Sequence, residues 1–398
     1  MQSGASALCG ARVLILCADV GEGHVTAARA LASRLRAHAD VEAVELRADL
    51  EVLGRRFGRF MDRGFHAHLD GIGQPGLRLA RLSYELGYRV FFERPQPRRA
   101  AHLALAALGA GGLRQTIRGA RADVVVTEFP VLSAALGQLR AMGRLAVPVC
   151  SSISDPAGLW YWAHPGIDLH LLSWPESLAE VERIAGPGRA AVVHPLVDPR
   201  VASAPSRPHA RRALGLPDRD AVVVVSGGGW GVGDLEGAAD VVLAAVPEAH
   251  VVCLAGRSDP VRRRLLARYA GEPRAHVLGF TDRMPELLAA ADLLIHTTGG
   301  TTALEARIAG CRLINFDVTV AHVRAHARAM QEQGLAQWAP DRARLAAAVR
   351  QALAQKAPPR LRIDALPDAA DLVLELLRPD GANHRAAAAS AGCAGAGT

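Results

Sequence analysis

Short apolar runs recur along the chain, each ending in a polar or glycine-rich turn and most leading into a helical pattern. Runs at 12–18, 41–46, 122–127, 147–153, 169–172 and 190–193 form one series. Runs at 221–225, 251–255, 275–278, 291–295 and 312–316 form a second. They are dense in Val, Leu and Ile, as strands are when both faces of a sheet are covered. Strands alternating with helices argue for a parallel sheet. The alternation pauses at 198–212, where Pro199, Pro205 and Pro208 stand among Ser, Ala and Arg in a stretch that reads as a linker or its edge, and then restarts. The expected fold is α/β, with two Rossmann-like doubly wound domains facing a cleft at the carboxyl ends of their sheets. The expected division is 1–197 and 198–357, with a helix at 361–377 that packs back on the first domain. Residues 380–398, rich in Ala, Gly and Ser, read as disordered.

The turns carry the chemistry. His296-Thr-Thr-Gly-Gly-Thr-Thr-Ala-Leu-Glu305 joins one of these strands to a helix. Gly299 and Gly300 let backbone approach a ligand, and amides at a helix start face an anion. Thr301 and Thr302 can cap that helix or bond phosphate oxygens. Glu305, about one turn in, is placed for the paired hydroxyls of a ribose. The same stretch is also compatible with an ordinary helix cap. Ser226 followed by Gly227, Gly228 and Gly229 is a second backbone approach point, suited to a diphosphate. Phe280, after Gly279, can stack beside a base or simply pack in a core.

In the first series, Gly21-Glu-Gly-His24 fills the first strand-to-helix turn. A histidine there faces the cleft and can take a proton from a hydroxyl nucleophile. Asp155 ends another strand of that series and can orient the hydroxyl, pair with His24 or act as the base itself. Trp160, Tyr161, Trp162 and His164 follow it. No Walker A lysine motif and no GxGxxG opens either unit, and no acidic or histidine cluster argues for a catalytic metal.

Charge is placed unevenly. The net charge is +7, yet between residues 55 and 121 thirteen arginines stand against four acids. The same segment carries Phe57, Phe60, Phe65, Phe91 and Phe92. It is compatible with anionic lipid headgroups, and equally with a solvated arginine-rich surface. Nucleic-acid binding lacks any accompanying motif. Six cysteines without metal-like spacing read as small buried hydrophobes. With no apolar run of membrane-spanning length and no signal-peptide pattern, the chain is expected to be cytoplasmic, with contact to a membrane surface left open.

Taken together these motifs resemble the GT-B glycosyltransferases of the monogalactosyldiacylglycerol synthase and processive diacylglycerol glucosyltransferase family. The peptidoglycan lipid II N-acetylglucosaminyltransferase is a more distant relative. The family's opening GxGHxxAA is matched by Gly21, Gly23, His24, Ala27 and Ala28. Its TDxxxHxxWxHxxxD is matched at Asp155, Trp162, His164 and Asp168, with Ser154 for the threonine and Leu159 for the first histidine. The C-terminal pattern is matched by Leu278, Gly279, Met284, Glu286, Leu287, Ala291, Asp292, Gly299, Gly300, Thr302, Glu305, Ala306, Ala309 and Gly310.

The resemblance implies an inverting hexosyl transfer from a nucleotide sugar, usually UDP-linked, to a lipid hydroxyl such as that of diacylglycerol. His24 or Asp155 would be catalytic, with no metal and no cofactor beyond the nucleotide-sugar co-substrate. Gly227, Gly228, Gly229, Phe280, Gly299, Gly300, Thr301, Thr302 and Glu305 would hold the donor. Gly21, Gly23, Trp162 and His164 would face the acceptor, and the basic aromatic segment would dock on an anionic membrane, making the chain peripheral on the inner face of the plasma membrane. The chain departs from the family where PGQExxN should follow the strand at 313–316. His322, Val323 and His326 stand at its glutamine, glutamate and asparagine, and Thr297-Thr298 replaces the usual Lys-Pro. A non-catalytic nucleotide-sugar-binding protein and a nucleotide-sugar epimerase therefore remain as alternative readings.

Overall fold

In the computed structural model, residues 10–19, 22–72, 95–297, 299–318 and 321–378 are described, with backbone alone at 66–72 and 95. Gly21, residues 73–94 of the basic segment and the tail 380–398 lie outside the described residues. The first sheet contains β1 (Ala11–Leu16), β2 (Val41–Arg47), β3 (Val124–Thr127), β4 (Val149–Ile153), β5 (Leu169–Leu172) and β6 (Ala190–Val192). The second contains β7 (Val222–Ser226), β8 (His250–Leu254), β9 (Ala275–Leu278), β10 (Leu293–His296), β11 (Arg312–Phe316) and β12 (Gln337–Ala339). Every pairing is parallel, in the orders β2-β1-β3-β4-β5-β6 and β12-β11-β10-β7-β8-β9.

Each order reverses direction once, between β1 and β3 and between β7 and β10, and such a reversal opens a crevice at the carboxyl edge of a parallel sheet. Register places the crevice residues level with one another. Leu16 pairs with Thr127 and Thr127 with Ser151, while His296 pairs with Ser226. The turns after these strands thus open at one height on each sheet.

The apolar runs are continuous because alternate residues feed cores on opposite faces. Val13 and Ile15 pack with Leu31 and Leu35 of the helix Glu22–Arg36. Leu14 and Leu16 pack with Leu113, Leu132 and Leu136 on the other side. In the second sheet Val222 and Val224 meet Leu287 and Leu304, and Val223 and Val225 meet Leu235 and Leu345.

Two expectations change. The stretch 198–212 is not a free linker. Pro199–Val201 forms a 3-10 turn and Arg207–Leu214 a helix with Pro in its first turn, and Val201 and Ala210 are buried in the second domain's core. Arg211 is buried beneath them, donating to the carbonyls of Ala290 and Asp218 and to Asp292. The terminal helix spans Ala369–Glu375 and not 361–377. Pro367 disfavours helical backbone in the residue before it, and the Asp368 carboxylate caps the shorter helix through the Ala370 amide at 2.7 Å. That helix packs on the first domain, with Leu372 and Val373 beside Leu31 and Leu35.

Trp174 fastens the two domains. It follows β5, yet its indole is buried in the second domain's core with Ala303 and Leu304. Its Nε1–H donates to the Ser154 carbonyl at 2.9 Å. Beside it Arg307 makes a paired contact with Glu176 at 2.6 and 3.0 Å. We predict that Trp174→Ala lowers stability by about 3–5 kcal/mol, the usual cost of emptying a large aromatic site. Chemical denaturation followed by intrinsic fluorescence and circular dichroism measures it.

Candidate active site

Three turns of the first sheet line one wall of the cleft. After β1 the chain reaches the helix Glu22–Arg36, whose third residue is His24. The His24 ring stands edge-on to Phe129 at 5.4 Å and tilted against Trp162 at 5.5 Å. Its Nδ1 is enclosed without a hydrogen-bond partner. Burial holds the His24 pKa below the usual histidine value, opposed by the charge of Asp155 and assisted by His326. The ring therefore stays neutral near pH 7 and keeps a lone pair for a proton.

Asp155 follows β4. Burial alone would raise its pKa, but His326, His24, His322 and the Trp162 indole together hold it below the ordinary carboxylate value. Trp162 Nε1–H donates to Asp155 Oδ2 at 2.8 Å, and His326 Nε2 lies 3.7 Å from the same oxygen. His326 belongs to the helix Ala321–Glu332 of the second domain. Asp155 is thus the meeting point of both domains.

The opposite wall is glycine-rich backbone. After β7, residues 227–231 curl tightly, with the Val232 amide donating to the Gly227 carbonyl at 2.8 Å. After β10 the helix Gly300–Ala309 begins, directed at the first domain. A Cβ built on Gly300 would lie 2.5 Å from the Ser154 carbonyl oxygen and 3.0 Å from Pro156. A Cβ on Gly23 would lie 2.6 Å from Thr301 Oγ1, so the starts of two helices face each other across the cleft. Glu305, one turn into its helix, is 7% exposed, and burial, with Asp198 nearby, pushes its pKa up to about 8. Phe280 is half exposed, and the Arg257 guanidinium lies 3.7 Å from its ring centroid. Among the described residues no His, Cys, Asp or Glu cluster is arranged to hold a metal ion.

The sequence-derived residues do not all converge. His24, Asp155, Gly23, Gly229, Gly300 and Thr301 lie at the interdomain contact, and Gly227, Gly228, Gly299, Thr302 and Glu305 lie on the turns and helix of the second-domain wall. Trp162 meets the cleft through Asp155 and the His24 ring: it is 1% exposed, so it orients a carboxylate and offers no open ring face. His164 turns inward, against the expectation of an acceptor contact. Its Nδ1 accepts the Gly166 amide at 2.9 Å, its ring packs on His102, and the missing side chain of Gly137 makes room for it. Burial pushes its pKa down to about 4. Asp168 likewise serves the fold, bonding Arg140 twice and the Val149 amide.

Glu128 was missed. It is the first residue after β3, the position that in β4 leads to Asp155, and that placement was a usable signal. Its carboxyl is 1% exposed, and burial, with Asp155 adding to it, pushes its pKa up to about 8 against the pull of Ser152 and Ser154. It is thus protonated at neutral pH. Glu22 and Arg257 were also missed. They pair across the cleft, with Arg257 Nε 2.8 Å from Glu22 Oε1.

Two parallel Rossmann-like domains facing a cleft at their carboxyl edges define the GT-B class. Residues 222–372 match the glycosyltransferase family 28 C-terminal domain. The chain is 35% identical over 146 residues to the UDP-N-acetylglucosamine–N-acetylmuramyl-(pentapeptide) pyrophosphoryl-undecaprenol N-acetylglucosamine transferase of Symbiobacterium thermophilum, covering 35% of this chain and 38% of that one. It is 36% identical over 64 residues, 16% of each chain, to the processive diacylglycerol beta-glucosyltransferase of Staphylococcus epidermidis. The matched stretch thus spans well under half the length of these curated relatives. The solved glycosyltransferase SnogD from Streptomyces nogalater shares the fold, with a TM-score of 0.53 at 16% identity over 92% of this chain and 99% of that one.

The arrangement predicts a coupled titration. In the folded protein His24 titrates below the usual histidine value, so the folded state loses stability as pH falls through the unfolded-state value. Because His326 lowers the His24 pKa, His326→Gln raises it. NMR titration of histidine ring resonances, with His24→Gln for assignment, measures the shift.

Proposed function

We propose that this protein is an inverting glycosyltransferase that moves a hexose from a nucleotide sugar, with UDP as the nucleotide, to a lipid hydroxyl such as that of diacylglycerol. The observation that carries the reading is the pairing across the cleft. A neutral histidine and an ionised aspartate stand on one wall, and the start of a glycine-led helix stands on the other. The family 28 domain at 222–372 supports the donor half of the proposal. The printed names of the two matched relatives support a lipid or lipid-linked acceptor.

In this reading the nucleotide lies in the second domain. Glu305 accepts the ribose hydroxyls, and exchanging buried apolar surroundings for two donors relieves its raised pKa. The diphosphate rests on the 227–231 loop and on the amides at the start of Gly300–Ala309. His24 takes the proton of the acceptor hydroxyl as its oxygen attacks the anomeric carbon from the face opposite the diphosphate. The bond from that carbon to the phosphate oxygen breaks, and the charge arriving on the diphosphate is met by oriented amides. Asp155, ionised and held by Trp162, favours the imidazolium that forms on His24.

The acceptor enters from the first domain, beside the helices Arg55–Ile72 and Pro95–Ala120. Phe60 is 73% exposed among Arg55, Arg56, Arg59 and Arg63, and Leu103 and Leu108 are exposed on the second helix. Such a surface suits anionic headgroups, and we place the protein on the inner membrane face. No helix among the described residues is long and apolar enough to cross a membrane.

A second reading, a nucleotide-sugar binder without turnover, is favoured by one observation. His326 is 2% exposed and sits against Asp155, where the family's donor-sugar residues should be. An epimerase would need a further acid within reach of the sugar. Glu128 senses the charge of Asp155, but it is enclosed.

The discriminating assay follows diphosphate release from a panel of nucleotide sugars, with and without diacylglycerol vesicles containing anionic lipid. Acceptor-dependent release is expected for at least one UDP-sugar. His24→Ala should reduce it by about 10²–10⁴, the usual share of general-base catalysis, while UDP binding persists. UDP binding with no release from any donor would favour the binder.

A further inference from the structure

We propose that Arg257 is a phosphate-binding residue of the donor site and that the Glu22 carboxylate is its internal substitute, held in the diphosphate position until the nucleotide displaces it. This deepens the glycosyltransferase reading and rests on it for the identity of the donor.

Four features of Arg257 describe an anion site. It follows β8, the strand beside β7, so it stands next to the glycine loop. Its backbone amide donates to the Gly229 carbonyl at 2.8 Å, which fixes its Cα against that loop. Its guanidinium carbon lies over the Phe280 ring, 3.7 Å from the centroid, which limits its movement. Its Nε and Nη2 converge on a single oxygen, Glu22 Oε1, at 2.8 and 2.5 Å. Two N–H groups closing on one oxygen, beside bare backbone, is the arrangement that takes a phosphate oxygen.

Glu22 occupies that position from the other domain. It opens the helix Glu22–Arg36, and its side chain runs over the loop so closely that a Cβ on Gly229 would lie 2.5 Å from Glu22 Cγ. Gly229 thus leaves room for a group above it, and in this structure the group is the Glu22 side-chain stem, which carries its carboxylate on to Arg257. The pair is partly exposed, with side-chain accessibilities of 47% for Arg257 and 27% for Glu22. Ion pairs that open to water add little to stability, so the contact explains itself poorly as a structural fastener. A diphosphate carries more charge and brings its own contacts to the loop and the facing helix start. It exchanges for the carboxylate, and Arg257 passes from Glu22 to a phosphate oxygen. Glu22 then turns outward, since it cannot share the site with a second anion.

Charge and nucleotide recognition separate in a calorimetric comparison of uridine, UMP and UDP on the full chain. The parent protein should bind UDP more tightly than uridine. In Glu22→Gln, which keeps the shape and removes the competing charge, UDP affinity should rise several-fold to roughly tenfold while uridine affinity stays constant. In Arg257→Gln, UDP should lose roughly tenfold or more and uridine little. Thermal melts confirm that each variant is folded, and the Glu22 variant is informative without the other. Unchanged or weaker UDP binding in Glu22→Gln, or equal losses for uridine and UDP in Arg257→Gln, overturns the proposal while leaving UDP as the parent's ligand. A parent protein that binds no UDP overturns this proposal and the donor assignment together.

Discussion

The cleft depends on how closely two stretches of backbone approach at Gly300. The first residue of that helix lies against the Ser154 carbonyl and Pro156 of the other domain, with no space for a side chain. This contact brings the start of Gly300–Ala309 to the turn that holds Asp155. Trp174 and the Arg307–Glu176 pair lock the same region from behind. Helix-start amides of the second domain and titratable groups of the first therefore share one small space.

Within that space burial decides protonation. His24 is kept neutral and Asp155 is kept charged, although both are largely removed from water. The difference comes from partners: Asp155 has an indole donor and three histidines around it, whereas the His24 Nδ1 has none. Glu305 and Glu128 are pushed the other way, because each lacks a close cation. In the proposed reaction a hydroxyl-bearing substrate would meet a neutral histidine and the ribose a neutral carboxyl, while the diphosphate would meet Arg257 with the Glu22 carboxylate already in place.

Much of the fold was legible because doubly buried parallel strands write themselves as unbroken Val and Leu runs, and their carboxyl-end turns then follow by position. His24, Asp155, Gly300 and Thr301 could be read that way. Helix ends and tertiary burial could not. Val201 and Ala210 lie in a proline-rich stretch that looked like a linker, yet they complete a core. His164 fits a motif spacing but turns inward, since spacing says nothing about which face of a loop is covered. Glu22 and Arg257 stand 235 positions apart, and only the packing of two domains pairs them. His326 showed only as a departure from a pattern, and its contact with Asp155 emerges from the closed cleft.

The central claim is that a nucleoside diphosphate binds between the 227–231 loop and the start of Gly300–Ala309, facing His24. Amide hydrogen exchange with and without saturating UDP tests its location directly. The account predicts slowed exchange at 227–231, 255–257 and 299–305, with the start of Glu22–Arg36 responding as Glu22 is displaced, and little change in Arg55–Ile72. Protection confined to the first domain, or protection elsewhere in the second with none at 227–231 and 299–305, would contradict it.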